Sequence, residues 1–129
     1  MKIITGKQER YQKVVVYGPE GIGKSTFAAH FPKPLFIDTE ASTAHMNVAR
    51  LERPTSWVVL MEYVQELTKN HQGFTTLVID TIDWAEQLCV QHICSKYQVS
   101  GIEDIGYGKG YVYEKEEFGR LLNKLQDLI

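Results

Sequence analysis

Three short apolar runs, each bounded by turn-forming residues, set the rhythm of the chain. Lys13-Val14-Val15-Val16-Tyr17 runs into Gly18-Pro19-Glu20-Gly21-Ile22-Gly23 and predicts a buried strand ending in a glycine-rich turn. Pro34-Leu35-Phe36-Ile37-Asp38 predicts a second strand with Thr39 and Glu40 at its carboxyl end, and Thr75 to Asp80 a third. Between them the apolar period changes from strand to helix. Lys24 to Phe31 has helical spacing and is stopped by Pro32 and Pro34. After an irregular stretch, Ser56 caps a helix whose Trp57, Leu60, Met61, Val64 and Leu67 share one face until Gly73. Asp83, with Glu86 three residues on, predicts the cap of a helix reaching about Tyr97. Ser100 to Gly110 reads as a loop, and Phe118, Leu121, Leu122, Leu125 and Leu128 mark a last amphipathic helix.

Strands apolar on both faces and separated by helical crossovers predict an α/β fold. Its sheet is parallel and covered on both sides, with ligands at the carboxyl ends of the strands. At 129 residues the chain is one domain. A three-stranded sheet is small for this architecture, and no terminator closes the last helix, so further strands are expected beyond Ile129. With 43% hydrophobic and 23% charged residues the composition is that of a folded protein. No apolar run approaches the ~18 residues of a membrane span, and a cytoplasmic protein is expected.

Fourteen basic and sixteen acidic residues give a net charge of −2, so any nucleic-acid contact must be local. Cys89 and Cys94, five apart, point in different directions on a helix, which disfavours a disulfide. Together with His92 they form no complete zinc set and read as structural residues.

Gly18-Pro19-Glu20-Gly21-Ile22-Gly23-Lys24-Ser25 matches GxxxxGK[ST] at every fixed position, between a predicted strand and a predicted helix. Glycines let successive backbone N–H groups converge on phosphate oxygens, and a helix N-terminus adds favourable charge. Lys24 then reaches the β- and γ-phosphates, Ser25 gives its hydroxyl to Mg²⁺, and Thr26 completes the nucleotide-binding set. Asp80, closing an apolar strand, is positioned to hold the same metal. Glu40 is placed to orient or deprotonate an attacking water, with Asp38 as its competitor.

The phosphate loop, Phe36-Ile37-Asp38-Thr39-Glu40, Leu77-Val78-Ile79-Asp80-Thr81 and Gly106-Tyr107-Gly108-Lys109-Gly110 together resemble RecA-like P-loop ATPases. More narrowly, they resemble phage-encoded nucleotide-binding proteins of recombination and single-strand annealing. The resemblance spans nearly the whole chain and implies a three-layer α/β/α domain with a mostly parallel sheet, binding ATP and Mg²⁺. It assigns the catalytic base to Glu40 and the Walker B acid to Asp80, and it implies a homo-oligomer. It also implies a single-stranded DNA loop from Gly101 to Gly110, where Lys109 offers phosphate pairing and Tyr107 or Tyr111 a stacking surface. Glu103, Asp104, Glu114, Glu116 and Glu117 surround that loop and oppose a polyanion. A strand carrying a γ-phosphate sensor is expected beyond Ile129. The absence of an NKxD run favours adenine.

Two other readings fit the same motif. A P-loop kinase needs an Arg-rich lid, yet Arg10, Arg50, Arg53 and Arg120 are scattered. A nucleotide-gated binding module without catalysis needs only the loop and the metal.

Overall fold

The computed structural model describes residues 1–129. Its sheet has three parallel strands: β1 (Pro34–Asp38) is central, flanked by β2 (Ala49–Leu51) and β3 (Thr76–Asp80). Leu35, Phe36, Ile37 and Asp38 of β1 are all buried, as expected of a strand covered on both faces. The register aligns Asp38 with Asp80, so the carboxyl ends of β1 and β3 are level.

The helices are α1 (Lys24–Ala29), α2 (Trp57–Lys69), α3 (Ile82–Lys96) and α4 (Lys109–Leu128). Ser56 caps α2 by accepting a hydrogen bond from the amide of Val59, as its position before the apolar period predicts. Trp57, Leu60 and Val64 of α2, Ala85 and Cys89 of α3, and Leu121 of α4 close over Ile37 as one core. Leu51, Leu77 and Ile79 pack against it from the same face of the sheet. Full burial of each large apolar side chain contributes ~1.5–3 kcal/mol, which holds these three helices to that face.

Several expectations are corrected. Lys13–Tyr17 forms no strand and is exposed. The run has the composition of a strand but no neighbour in the sheet, and an unpaired strand leaves its backbone groups without ladder partners. The third strand is instead β2, within the stretch read as irregular. Helix α1 ends at Ala29 and α2 at Lys69, short of Phe31 and Gly73. Thr81, not Asp83, caps α3: its hydroxyl accepts from the amide of Trp84 at 3.4 Å, and Asp83 lies in the first turn.

The glycine-rich loop is also more ordered than expected. Residues 102–104 and 106–108 form 3₁₀ turns, and α4 already begins at Lys109. Gly110 is a packing residue inside α4: a Cβ there would lie 2.2 Å from the Ile102 carbonyl oxygen. Tyr97 and Tyr113 stack at 4.8 Å between centroids, fastening the end of α3 to the start of α4.

Candidate functional site: the phosphate loop and the carboxyl edge of the sheet

The loop from Gly18 to Gly23 is shaped by its glycines. Gly21 and Gly23 sit at φ +82° and +98°, a region that residues with a side chain rarely adopt. Gly23 is the N-cap residue of α1, and Lys24 and Ser25 follow as its first two residues. The Lys24 ammonium folds back over the loop and donates to the carbonyls of Gly18 at 2.5 Å and Pro19 at 3.0 Å. Its positive charge therefore stands above the turn. Glu20, Ile22 and Thr26 are exposed around it.

Ser25 joins this loop to the sheet. Its hydroxyl donates to Asp80 Oδ2 at 2.5 Å, across 55 residues of sequence. Asp80 is buried at the end of β3, so the sequence pairing of the phosphate motif with a strand-ending acid is realised as a contact. A hydroxyl and a carboxylate oxygen meeting there are the hard donors Mg²⁺ takes. Mg²⁺ is usually held by one or two protein groups together with phosphates and water. No group of three or more His, Cys, Asp or Glu residues is arranged to hold a metal ion without such help. The residues present thus fit a magnesium nucleotide.

The carboxyl ends of β1 and β3 are clipped together. The Thr39 hydroxyl donates to the Thr81 carbonyl and accepts from the Thr81 amide, both at 2.8 Å, while the Thr39 amide donates to the Asp80 carbonyl at 2.8 Å. This clip fixes the backbone on either side of Asp80 and brings Glu40, one residue further on, to the same edge. Glu40 is half-buried.

Asp38 has a different task. Its oxygens accept from the Ser42 amide at 3.0 Å, the Thr43 amide at 2.8 Å and the Thr43 hydroxyl at 2.5 Å. Burial by itself favours the neutral acid here. The donors of Thr43, Ser42 and the Glu40 backbone outweigh it and hold the carboxyl below its ordinary value. Asp38 therefore organises the loop after β1, and the Glu40 side chain makes none of these bonds. Arg50 finishes that loop, donating from Nη2 to the carbonyls of Thr43 and Met46, each at 2.7 Å, and from Nε to the Thr43 hydroxyl at 3.2 Å. Sequence reasoning missed this role, because nothing in the spacing of Asp38, Thr43 and Arg50 shows that the chain doubles back.

Cys89 is buried, and its thiol contacts the Glu114 carbonyl at 3.7 Å. Burial, with the charges of Glu114, Glu117 and Glu86, pushes it up to about 12, so it stays an unreactive thiol. Cys94 is free and half-buried. In the predicted DNA loop, Tyr107 is fully exposed at a left-handed φ of 57°, and Tyr111 is exposed in the first turn of α4. No helix is long and apolar enough to cross a membrane.

A parallel sheet with a glycine loop and its serine at the carboxyl edge belongs to the α/β class of P-loop type. The chain is a member of the family described as AAA domain, which matches residues 10–129. Members of that family are generally ATPases. The chain is also similar to the SPbeta prophage-derived uncharacterized protein YorG of Bacillus subtilis (strain 168), at 25% identity over 118 residues. That match covers 87% of the chain but only 36% of the relative's length. No solved structure matches the chain significantly.

Proposed function

We propose that this chain binds and hydrolyses ATP with Mg²⁺ as a RecA-like ATPase of phage or prophage recombination, coupled to single-stranded DNA. The observation that carries the nucleotide half is the Ser25–Asp80 contact beneath a loop whose two left-handed glycines precede Lys24. In this reading the amides of residues 18 to 25 bind the phosphate chain, and Lys24 exchanges the carbonyls of Gly18 and Pro19 for phosphate oxygens. Ser25 and Asp80 hold Mg²⁺, which when bound offsets the charge of the phosphates. Glu40 orients the water that attacks the γ-phosphorus. As the new P–O bond forms, the bond to the β-bridging oxygen breaks, ADP leaves, and the water's proton passes to Glu40. Glu40 is preferred to Asp38 because the oxygens of Asp38 are taken up by Ser42 and Thr43.

Two observations support the DNA half: the exposed Tyr107 and Tyr111 beside Lys109, and the prophage origin of the relative. Base stacking on an aromatic ring contributes ~1–3 kcal/mol per base, enough for two tyrosines to matter among so many acids.

Turnover of ATP by the Glu40→Gln variant tests the catalytic assignment. Loss of hydrolysis with retained ATP binding is expected, and an unchanged rate would reject Glu40. For DNA, the anisotropy of a labelled single strand should rise with protein and fall with added salt. A flat titration would reject that half.

A further inference from the structure

The chain leaves the sheet at Thr39, and three hydrogen bonds tie that residue to the neighbouring strand end. Its amide donates to the Asp80 carbonyl, its hydroxyl donates to the Thr81 carbonyl, and the same hydroxyl accepts from the Thr81 amide, each at 2.8 Å. We propose that Thr39 is a positioning residue for hydrolysis: its hydroxyl sets the place of the Glu40 carboxylate against Asp80, and with it the direction from which water reaches the γ-phosphorus. The inference rests on the roles given to Glu40 and Asp80 above and adds the residue that keeps the two in register.

A side chain does here what main chain does within the sheet. β1 and β3 pair residue by residue as far as Asp38 and Asp80. One more main-chain rung would keep the strand extended, whereas the Thr39 hydroxyl meets both the amide and the carbonyl of Thr81 by itself. The main chain is thereby free to turn at Thr39 and Glu40, and Ala41 follows at a left-handed φ of 56°. Thr39 is buried, so a methyl in place of its hydroxyl would leave the Thr81 amide without that partner.

Both sides of this junction are fixed. Thr81 caps α3 through its hydroxyl, and its carbonyl accepts from the Ala85 amide at 3.2 Å. On the other side, Asp38 gathers the amides of Ser42 and Thr43 together with the backbone of Glu40. No cation holds the Glu40 carboxylate, since the one ion pair of the chain joins Glu117 to Arg120. Its place is therefore set through its backbone, and of the two anchors beside it only Thr39 reaches the strand that carries Asp80. Asp80 itself is held by its pairing with β1 and by the Ser25 hydroxyl. Loss of the Thr39 hydroxyl should thus disturb Glu40 more than the cation site. A displacement of ~1 Å near a reacting centre can cost ~10²-fold in rate.

Hydrolysis kinetics and calorimetric binding of Mg-ATP, measured on the full chain and its variants, test the proposal. Thr39→Val should lower kcat tenfold or more and move the ATP dissociation constant by less than twofold. Thr39→Ser keeps the hydroxyl and should stay within threefold of the parent in both. Added to Glu40→Gln, Thr39→Val should cost less than a further twofold in single-turnover rate, because it acts through a carboxylate already removed. The near-ultraviolet signal of buried Trp57 reports the fold, and Thr39→Ala carries the same expectations where Thr39→Val loses that signal. A parental kcat in the variant without the hydroxyl, an equal loss in Thr39→Ser, or full multiplication of the two losses in the double variant would overturn the proposal. Lys24→Ala and Glu40→Gln in the same series identify a failure of the underlying site: a parent chain that turns over no ATP, or whose turnover survives both changes, rejects that site and the proposal with it.

Discussion

The Ser25 hydroxyl donates to the Asp80 carboxylate at 2.5 Å, the one side-chain hydrogen bond by which α1 reaches β3. Everything N-terminal to Pro32 is otherwise lightly attached, since α1 contains no buried residue. A cation seated between the two oxygens would redirect the hydroxyl, which keeps its proton and coordinates through its oxygen, and so convert this bond into shared coordination. Ser25→Ala should therefore cost nucleotide affinity about tenfold with Mg²⁺ present and little with EDTA. Parallel titrations with and without the metal would read the difference.

Thr43 supplies two of the donors on Asp38, so Thr43→Val leaves a buried carboxylate short of a bond. The loss should be ~1–3 kcal/mol of stability at neutral pH, read as a lower urea midpoint with an unchanged slope.

The pH dependence follows from the same group. The Asp38 carboxyl is depressed in the folded state. Its contribution is therefore fully present above the unfolded value near ~3.9 and is lost as pH falls through the folded value. In Thr43→Val the folded value moves back towards the unfolded one, so the stability lost on acidification through that window should be smaller than in the parent, as urea unfolding at neutral and acid pH would show. Glu114 runs the opposite way: burial, then the charge of Glu86, raises it. Its protonated form favours the fold at low pH, and that advantage fades as pH climbs past the ordinary glutamate range. Glu114→Gln should thus stabilise the protein more at pH 7 than at pH 4, as urea unfolding at the two values would show.

Two glycines of α4 predict opposite signs. A methyl at Gly110 meets the Ile102 carbonyl oxygen at 2.2 Å, whereas one at Gly119 meets nothing within 4 Å. Gly110→Ala should cost ~1–3 kcal/mol by overpacking. Gly119→Ala should gain ~0.5–1 kcal/mol by lowering the entropy of the unfolded chain. Thermal melts of the pair would check both.

How far the sequence reveals this fold depends on whether an element carries its own pattern. Leu35–Asp38 is legible because a strand covered on both faces must be continuously apolar, Leu77–Asp80 because it carries the same apolar run although Leu77, Val78 and Ile79 are only half-buried at the sheet edge, and the apolar face of α2 is legible from Trp57 to Leu67. Val14–Tyr17 has the same look, yet composition records only a tendency, and pairing needs a neighbour. β2 shows the converse: Ala49, Arg50 and Leu51 have no strand pattern and are ordered by the main chain of β1. At the site, the phosphate motif and Asp80 are plain in the sequence. The Thr39–Thr81 clip is not, since it forms only when segments 42 residues apart meet, and the Asp38–Thr43–Arg50 loop is not, since its bonds run between side chains and a turn that carries no recognisable spacing.

The central claim is that a charged lysine over a glycine turn binds a triphosphate. Binding of a fluorescent ATP analogue by the parent chain and by Lys24→Ala, in Mg²⁺ and at equal protein concentration, addresses it most directly. The account predicts saturable binding by the parent, displaced by unlabelled ATP, and a loss of at least a hundredfold in the variant. Equal affinity in the two proteins would contradict it.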